Sequence, residues 1–181
     1  MKLFDLTGRK AIVTGGTRGL GRGMAEGLME AGCEVVIVGS SSTAENVAKE
    51  YRDKGYKCHG LKIDLANRQE LKDGFFKALD LLGGRLDILV NNAGIQRRHF
   101  CEEFPIEDWD LVLEINLNAT FQLCQLAGRQ FMKQNSKGKI INVASMLSFF
   151  GGYTVPAYAA SKGAVAQLTK ALSNEWTSKN I

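Results

Sequence analysis

Proline is nearly absent, with two in 181 residues, so no Pro-rich linker divides the chain. Histidine is equally scarce, and neither His59 nor His99 has partners at metal-ligand spacing. The four cysteines, Cys33, Cys58, Cys101 and Cys124, form no C-x-x-C pair. A structural zinc site and a disulfide framework are both disfavoured; no metal is expected, and a reducing cytoplasm is the natural setting. No stretch approaches the ~20 apolar residues of a membrane span. Met1-Lys2-Leu3-Phe4-Asp5 also lacks the apolar core of a secretory signal. Lys and Arg total 23 against 19 Asp and Glu, a net charge of +4. This mild excess forms no basic stripe, which argues against a nucleic-acid partner.

Glycine, by contrast, is abundant. The chain holds 20, about one residue in nine against a typical ~7%, with no fibrous repeat. Such glycines serve tight turns and close backbone approach. They punctuate an alternation of apolar runs and helical patterns. Strands are expected at 10–14, 34–38, 57–63, 87–91 and 139–144. Helices are expected at about 20–31, 43–54, 69–82, 106–132 and 157–177. Regular alternation gives an α/β fold, a doubly wound parallel sheet with helices on both faces, because each right-handed crossover returns across the sheet. One domain over residues 1–181 is expected.

Thr14-Gly15-Gly16-Thr17-Arg18-Gly19-Leu20-Gly21 stands between the first strand and the first helix, where such a sheet binds a nucleotide. Gly15 suits a positive-φ turn, Gly19 lets the backbone approach a pyrophosphate, and Gly21 lets helix and strand pack closely. The helix N-terminus offers unpaired N–H groups to phosphate. After the second strand, where an acid usually holds the ribose hydroxyls, the chain reads Gly39-Ser40-Ser41-Ser42. That absence and Arg18 in the glycine loop lean from NAD toward NADP, although Arg18 also suits a solvated surface charge.

Tyr158 and Lys162 lie four apart on the last helix, hence on one face. An ammonium ~4 Å from a phenolate contributes about 4 kcal/mol at an effective dielectric of 20, enough to make a phenol serve as acid and base. Ser145 ends the fifth strand, where open α/β sheets bind ligands, and equally suits a turn cap. Asn116 puts an amide among Leu111, Ile115 and Leu117 and needs a buried partner, either backbone or a water relay. Asn91-Asn92-Ala93-Gly94 ends an apolar strand in small residues suited to a flat ligand, or simply to a turn.

Together, T-G-x-x-x-G-x-G, N-N-A-G, Asn116, Ser145 and Y-x-x-x-K, in this order, resemble the short-chain dehydrogenase/reductase family from about Leu6 to Ile181. The resemblance implies a Rossmann-like sheet and an NAD(P)-dependent oxidoreductase interconverting a secondary alcohol and a ketone. Tyr158 would be the general acid/base, and Lys162 would assist it and bind the nicotinamide ribose. Ser145 would hold the substrate oxygen, and Asn116 would anchor a relay water. Gly15, Thr17, Arg18, Gly19, Leu20 and Gly21 would cradle the phosphates. Ser40, Asp64 and Leu65 would line the adenosine end; Asn91, Ala93 and Gly94 would line the cofactor turn.

The stretches around Asn91–Arg98 and Ile141–Phe149 are most similar to the sugar-acid branch, the gluconate and 2-dehydro-3-deoxy-gluconate 5-dehydrogenases. Arg97 or Arg98 would then meet a substrate carboxylate, unless both are solvated loop charges or subunit contacts. A 3-oxoacyl-thioester reductase, with Arg129 and Lys133 docking an acidic carrier, and a non-catalytic nucleotide-binding fragment stay open. The family also implies a dimer or tetramer. It continues through further strands and a substrate-closing segment, so the alternation that halts at Asn180-Ile181 is expected to be a fold truncated after its fifth strand and following helix.

Overall fold

In the computed structural model, which describes residues 2–181, all five apolar runs are strands. They are β1 (Lys10–Thr14), β2 (Glu34–Gly39), β3 (Cys58–Lys62), β4 (Ile88–Asn91) and β5 (Lys139–Asn142). Every pairing is parallel, in the order β3-β2-β1-β4-β5. The order reverses beside β1, so the ends of β1 and β4 diverge into a crevice there, the usual ligand position of an open α/β sheet.

Among the described residues, seven α-helices connect and cover the strands: α1 (Gly19–Glu30), α2 (Thr43–Asp53), α3 (Arg68–Leu81), α4 (Ile106–Leu113), α5 (Ala119–Lys133), α6 (Leu147–Phe150) and α7 (Pro156–Trp176). Alternation along each strand sends successive side chains to opposite faces. Ala11, Val13, Val35 and Ile37 pack with Ala25 and Met29 of α1 and Val47 and Tyr51 of α2. Ile12, Val36 and Leu89 pack with Leu71 and Phe75 of α3 and Leu123 and Phe131 of α5. Both faces of the three central strands, β2, β1 and β4, are therefore dry, which is why these read as continuous apolar runs, whereas the edge strand β5 leaves Ile141 half exposed.

At the opposite end of the sheet from the crevice, Asp87 is buried and accepts from Arg9 Nη1 (3.0 Å), the Lys10 backbone N–H (3.0 Å) and Arg85 Nη2 (2.6 Å). Burial, the largest single influence, would raise its pKa, but the hydrogen bonds from Arg85, Arg9 and the Lys10 N–H and the charge of Arg85 together hold the carboxyl below its ordinary value.

One expectation is corrected. The span 106–132 is not a single regular helix, because a π-helical turn, Glu114–Asn118, separates α4 from α5. Such turns are rare and concentrate at functional sites; this one carries Asn116. The expected last helix begins at Pro156, where a missing N–H costs no helix hydrogen bond. The short α6 was not anticipated.

Candidate active site

The cleft beside the switch point has a volume of about 500 Å³. The glycine turn shapes its floor. Gly15 has φ +64° and Gly19 φ +54°, a region that only glycine enters freely. A Cβ on Gly21 would fall on the Gly15 carbonyl oxygen and the Asn92 amide. Gly19 therefore shares the left-handed backbone expected of Gly15, and Gly21 is the close-packing position.

Arg18, preceding α1, is extended and supplies no side-chain cap, so the N–H groups that open α1 are left for a ligand. An anion fits this cradle of bare N–H groups and glycine backbone. Gly15, Thr17, Arg18, Gly19, Leu20 and Gly21 all line the cleft, as do Ser40, Asp64 and Leu65 at one end and Ala93 and Gly94 at the other. Asn91 is buried away from it, with its amide donating to Asn142 Oδ1 (2.9 Å) and Cys124 Sγ (3.3 Å).

Two residues that sequence reasoning left aside clamp the crevice. Thr14 Oγ1, at the end of β1, accepts from the backbone N–H groups of Asn92 and Ala93 (both 3.1 Å). Asn92 Nδ2 returns hydrogen bonds to the carbonyls of Thr14 (3.1 Å) and Gly15 (3.2 Å). The two loops that diverge at the switch point are thus locked to each other. Gly21→Ala should break this lock. The inserted methyl is expected to cost about 1–3 kcal/mol of stability through overpacking and to weaken dinucleotide binding at least tenfold, roughly 1.4 kcal/mol. Thermal unfolding with and without cofactor measures both.

Beside Gly94, at the far end of the cleft, Asn116 and Lys162 come together, although neither they nor Tyr158 and Ser145 line the cleft itself. Lys162 is buried, and its Nζ donates to the Val143 carbonyl (2.5 Å) and lies 5.8 Å from the Tyr158 ring centroid. Burial holds this ammonium below the ordinary lysine pKa. Asn116 Oδ1 accepts from the Ile95 N–H (2.8 Å), while Nδ2 donates to the Ile95 carbonyl (3.0 Å) and Ser161 Oγ (3.1 Å). Its buried amide thus ties the loop after β4 to α7. A Cβ built on Gly94 would lie 3.2 Å from Asn116 Oδ1 and 3.8 Å from Lys162 Nζ, so it would crowd the Asn116 amide and come into contact with Lys162.

Ser145 does not end the fifth strand as expected: β5 stops at Asn142, and Ser145 lies half-buried three residues on, in the β5–α6 connection. Its N–H donates to Ser148 Oγ (3.2 Å), and that hydroxyl donates to the Lys162 carbonyl (2.8 Å). Ser148 and Ser161 hold the predicted catalytic groups but escaped sequence reasoning, since nothing in their local pattern marks their distant partners.

Arg97 and Arg98 lie outside the cleft, exposed on the loop after β4. Arg97 Nε donates to Asp108 Oδ1 (3.2 Å), and His99 Nε2 pairs with Asp108 Oδ2 (2.7 Å). Arg98 meets only neutral oxygens: Thr154 Oγ1 (3.5 Å) and, with the Gln96 amide turned so that its oxygen faces the guanidinium, Gln96 Oε1 (3.1 Å). Cys124, with its thiol pushed up to about 11 by burial, is no nucleophile.

Known proteins resemble this chain in sequence and fold. The short chain dehydrogenase family matches residues 9–181. The chain belongs to that family. It is accordingly an NAD(P)-dependent oxidoreductase acting on CH–OH groups. The 2-dehydro-3-deoxy-D-gluconate 5-dehydrogenase of Bacillus subtilis is 44% identical over 98% of this chain and 69% of its own length. A 3-oxoacyl-acyl-carrier-protein reductase of Aquifex aeolicus is 38% identical over 98% of this chain and 72% of its own. The crystal structure of a gluconate 5-dehydrogenase from Burkholderia cenocepacia, in complex with NADP and tartrate, superposes with a TM-score of 0.91 at 37% identity, covering 98% of this chain and 69% of that one. This short-chain dehydrogenase therefore spans about 70% of the length of these relatives. Among the described residues, no helix is long and apolar enough to cross a membrane.

Proposed function

We propose that this dehydrogenase interconverts a hydroxyl and a ketone on a sugar acid of the gluconate type, with Tyr158 as the general acid/base. The observation that carries the catalytic reading is the place of Lys162, which stands over the Tyr158 ring and, with Asn116, beside Gly94 at one end of the cleft. NAD(P), when bound, supplies or takes up the hydride. Tyr158 Oη gives its proton to the carbonyl oxygen in reduction, and its phenolate takes that proton back in oxidation. Lys162, fixed at the Val143 carbonyl, stabilises the phenolate and binds the nicotinamide ribose. Ser145 holds the substrate oxygen. Asn116 sets the loop at Ile95 and anchors a relay water through the remaining lone pair of Oδ1.

NADP is the preferred cofactor in this reading. Arg18 and Ser40 line the cleft, no carboxylate follows β2, and NADP is bound in the Burkholderia relative. One domain performs both binding and catalysis, as a homo-oligomer in the cytoplasm, where its four free cysteines stay thiols. The sugar acid is supported by the names of the relatives and by the carboxylates of tartrate in that structure.

Asp108 already neutralises Arg97, so Arg98 is the guanidinium left for a substrate carboxylate. Arg98→Ala should raise KM for the sugar acid about 10- to 100-fold, the worth of a charge-assisted hydrogen bond. Arg97→Ala should change it far less; equal KM values in both variants and wild type sink the assignment. The whole reading is tested by nicotinamide absorbance with keto-gluconates and acetoacetyl thioesters, each with both cofactors. Keto-gluconate turnover with NADPH is expected. Turnover on thioesters alone favours the acyl reductase, and no turnover on any substrate favours a nucleotide-binding role.

A further inference from the structure

Two hydrogen bonds fasten α7 to the end of β5, and both lie on one face of the helix. Lys162 Nζ donates to the Val143 carbonyl, and seven residues on, Thr169 Oγ1 accepts from Asn142 Nδ2 (3.0 Å). Seven residues are about two turns, and Asn142 and Val143 are adjacent. The Thr169 hydroxyl spends its proton on the Val165 carbonyl (2.8 Å), so it meets Asn142 as an acceptor. The other end of the Asn142 amide is equally committed, because Oδ1 accepts from Asn91 Nδ2 (2.9 Å). The Val143 N–H donates to the Asn91 carbonyl (2.9 Å), which extends the β4–β5 ladder one step beyond the strand.

β4 thus orients the Asn142 amide, and that amide grips α7 two turns beyond the lysine. Lys162 has four rotatable side-chain bonds and a buried ammonium, and holding it in a single geometry costs side-chain entropy. A fixed height of α7 against β5 removes much of that freedom. We propose that Asn142 is a positioning residue for Lys162, acting through Thr169 to keep the ammonium at the Val143 carbonyl and beside Gly94. The proposal rests on the catalytic reading of Lys162 for its functional meaning, but its test requires no turnover.

The test is amine acylation of the full chain by acetic anhydride, with each lysine followed by mass spectrometry. Thr169→Val keeps size and β-branching while deleting the acceptor, and Thr169→Ser restores it. Acylation of Lys162 should rise about fivefold in Thr169→Val as local opening becomes easier, and stay at the wild-type rate in Thr169→Ser. Lys10, half-buried and paired with Glu34 at 2.7 Å, is the internal control. Asn142→Leu should behave like Thr169→Val; if it does not fold, Thr169→Val alone decides. An unchanged Lys162 rate in folded Thr169→Val, or a rise matched by Lys10, overturns the proposal. The catalytic reading fails separately, through unimpaired turnover of a Lys162 variant.

Discussion

Tyr158→Phe should lower kcat by about 10² to 10⁴, the range that a positioned acid/base group contributes, while KM for the sugar acid changes by a few-fold at most. The fold should survive. Tyr158 gives the structure its backbone carbonyl, which accepts from Ser161 Oγ (2.8 Å), and its ring beneath the Lys162 ammonium. Phenylalanine keeps both. The variant therefore removes the proton-carrying atom and little else, and NAD(P) should bind it as tightly as it binds the wild type. Single-turnover reduction separates the outcomes. A slow chemical step with intact cofactor affinity supports the assignment, whereas wild-type kcat would move the acid/base role to another group. A drop in cofactor affinity of the same size would instead make Tyr158 a binding residue, because losing ground-state and transition-state interactions equally lowers affinity without slowing the bound complex.

The parts of this molecule that sequence reveals are those set by local chemistry. β1 and its turn are legible because an apolar run ends in glycines that a positive φ requires, and Gly15 and Gly19 adopt one. Tyr158 and Lys162 share a helix, so their proximity follows from helix geometry. The π turn at Glu114–Asn118 is different in kind. Its residues suit an ordinary helix, and the hydrogen bonds of the Asn116 amide go to Ile95, 21 residues away, and to Ser161, 45 away. Only the folded chain brings these groups together, so no periodicity announces the irregularity. The same limit separates Arg97 from Arg98. They are identical neighbours in sequence, and what distinguishes them is Asp108, presented from α4 across a loop. Thr14 shows the intermediate case. A polar residue ending a buried strand is visible, but that its oxygen would clamp the start of the opposite loop is set by the β1–β4 pairing.

Lys162→Met should separate activity from stability. With the 5.8 Å from Lys162 Nζ to the Tyr158 ring centroid as the scale of the charge separation, an ammonium and a phenolate attract by about 3 kcal/mol at an effective dielectric of 20, so turnover should fall by about 10². Stability should respond differently, and with a sign fixed by burial. The buried ammonium has a pKa below the ordinary 10.5, while in the unfolded chain the same group titrates at about 10.4. Between the lowered native value and the unfolded one, the unfolded chain carries more protons, so wild-type stability gains from Lys162 as pH rises through that window. Below the window both states are charged, and the native state bears the full penalty of the buried ammonium. Methionine of similar length carries no charge and no titration. The difference in unfolding free energy, wild type minus variant, should therefore increase with pH across the alkaline window and level off above it. Denaturant unfolding at a series of alkaline pH values measures this difference directly. A flat difference would mean that the ammonium is hydrated in the native state. The lysine would then meet its phenolate partner through solvent, where the same separation contributes less than ~1 kcal/mol, and the expected loss of turnover would shrink with it.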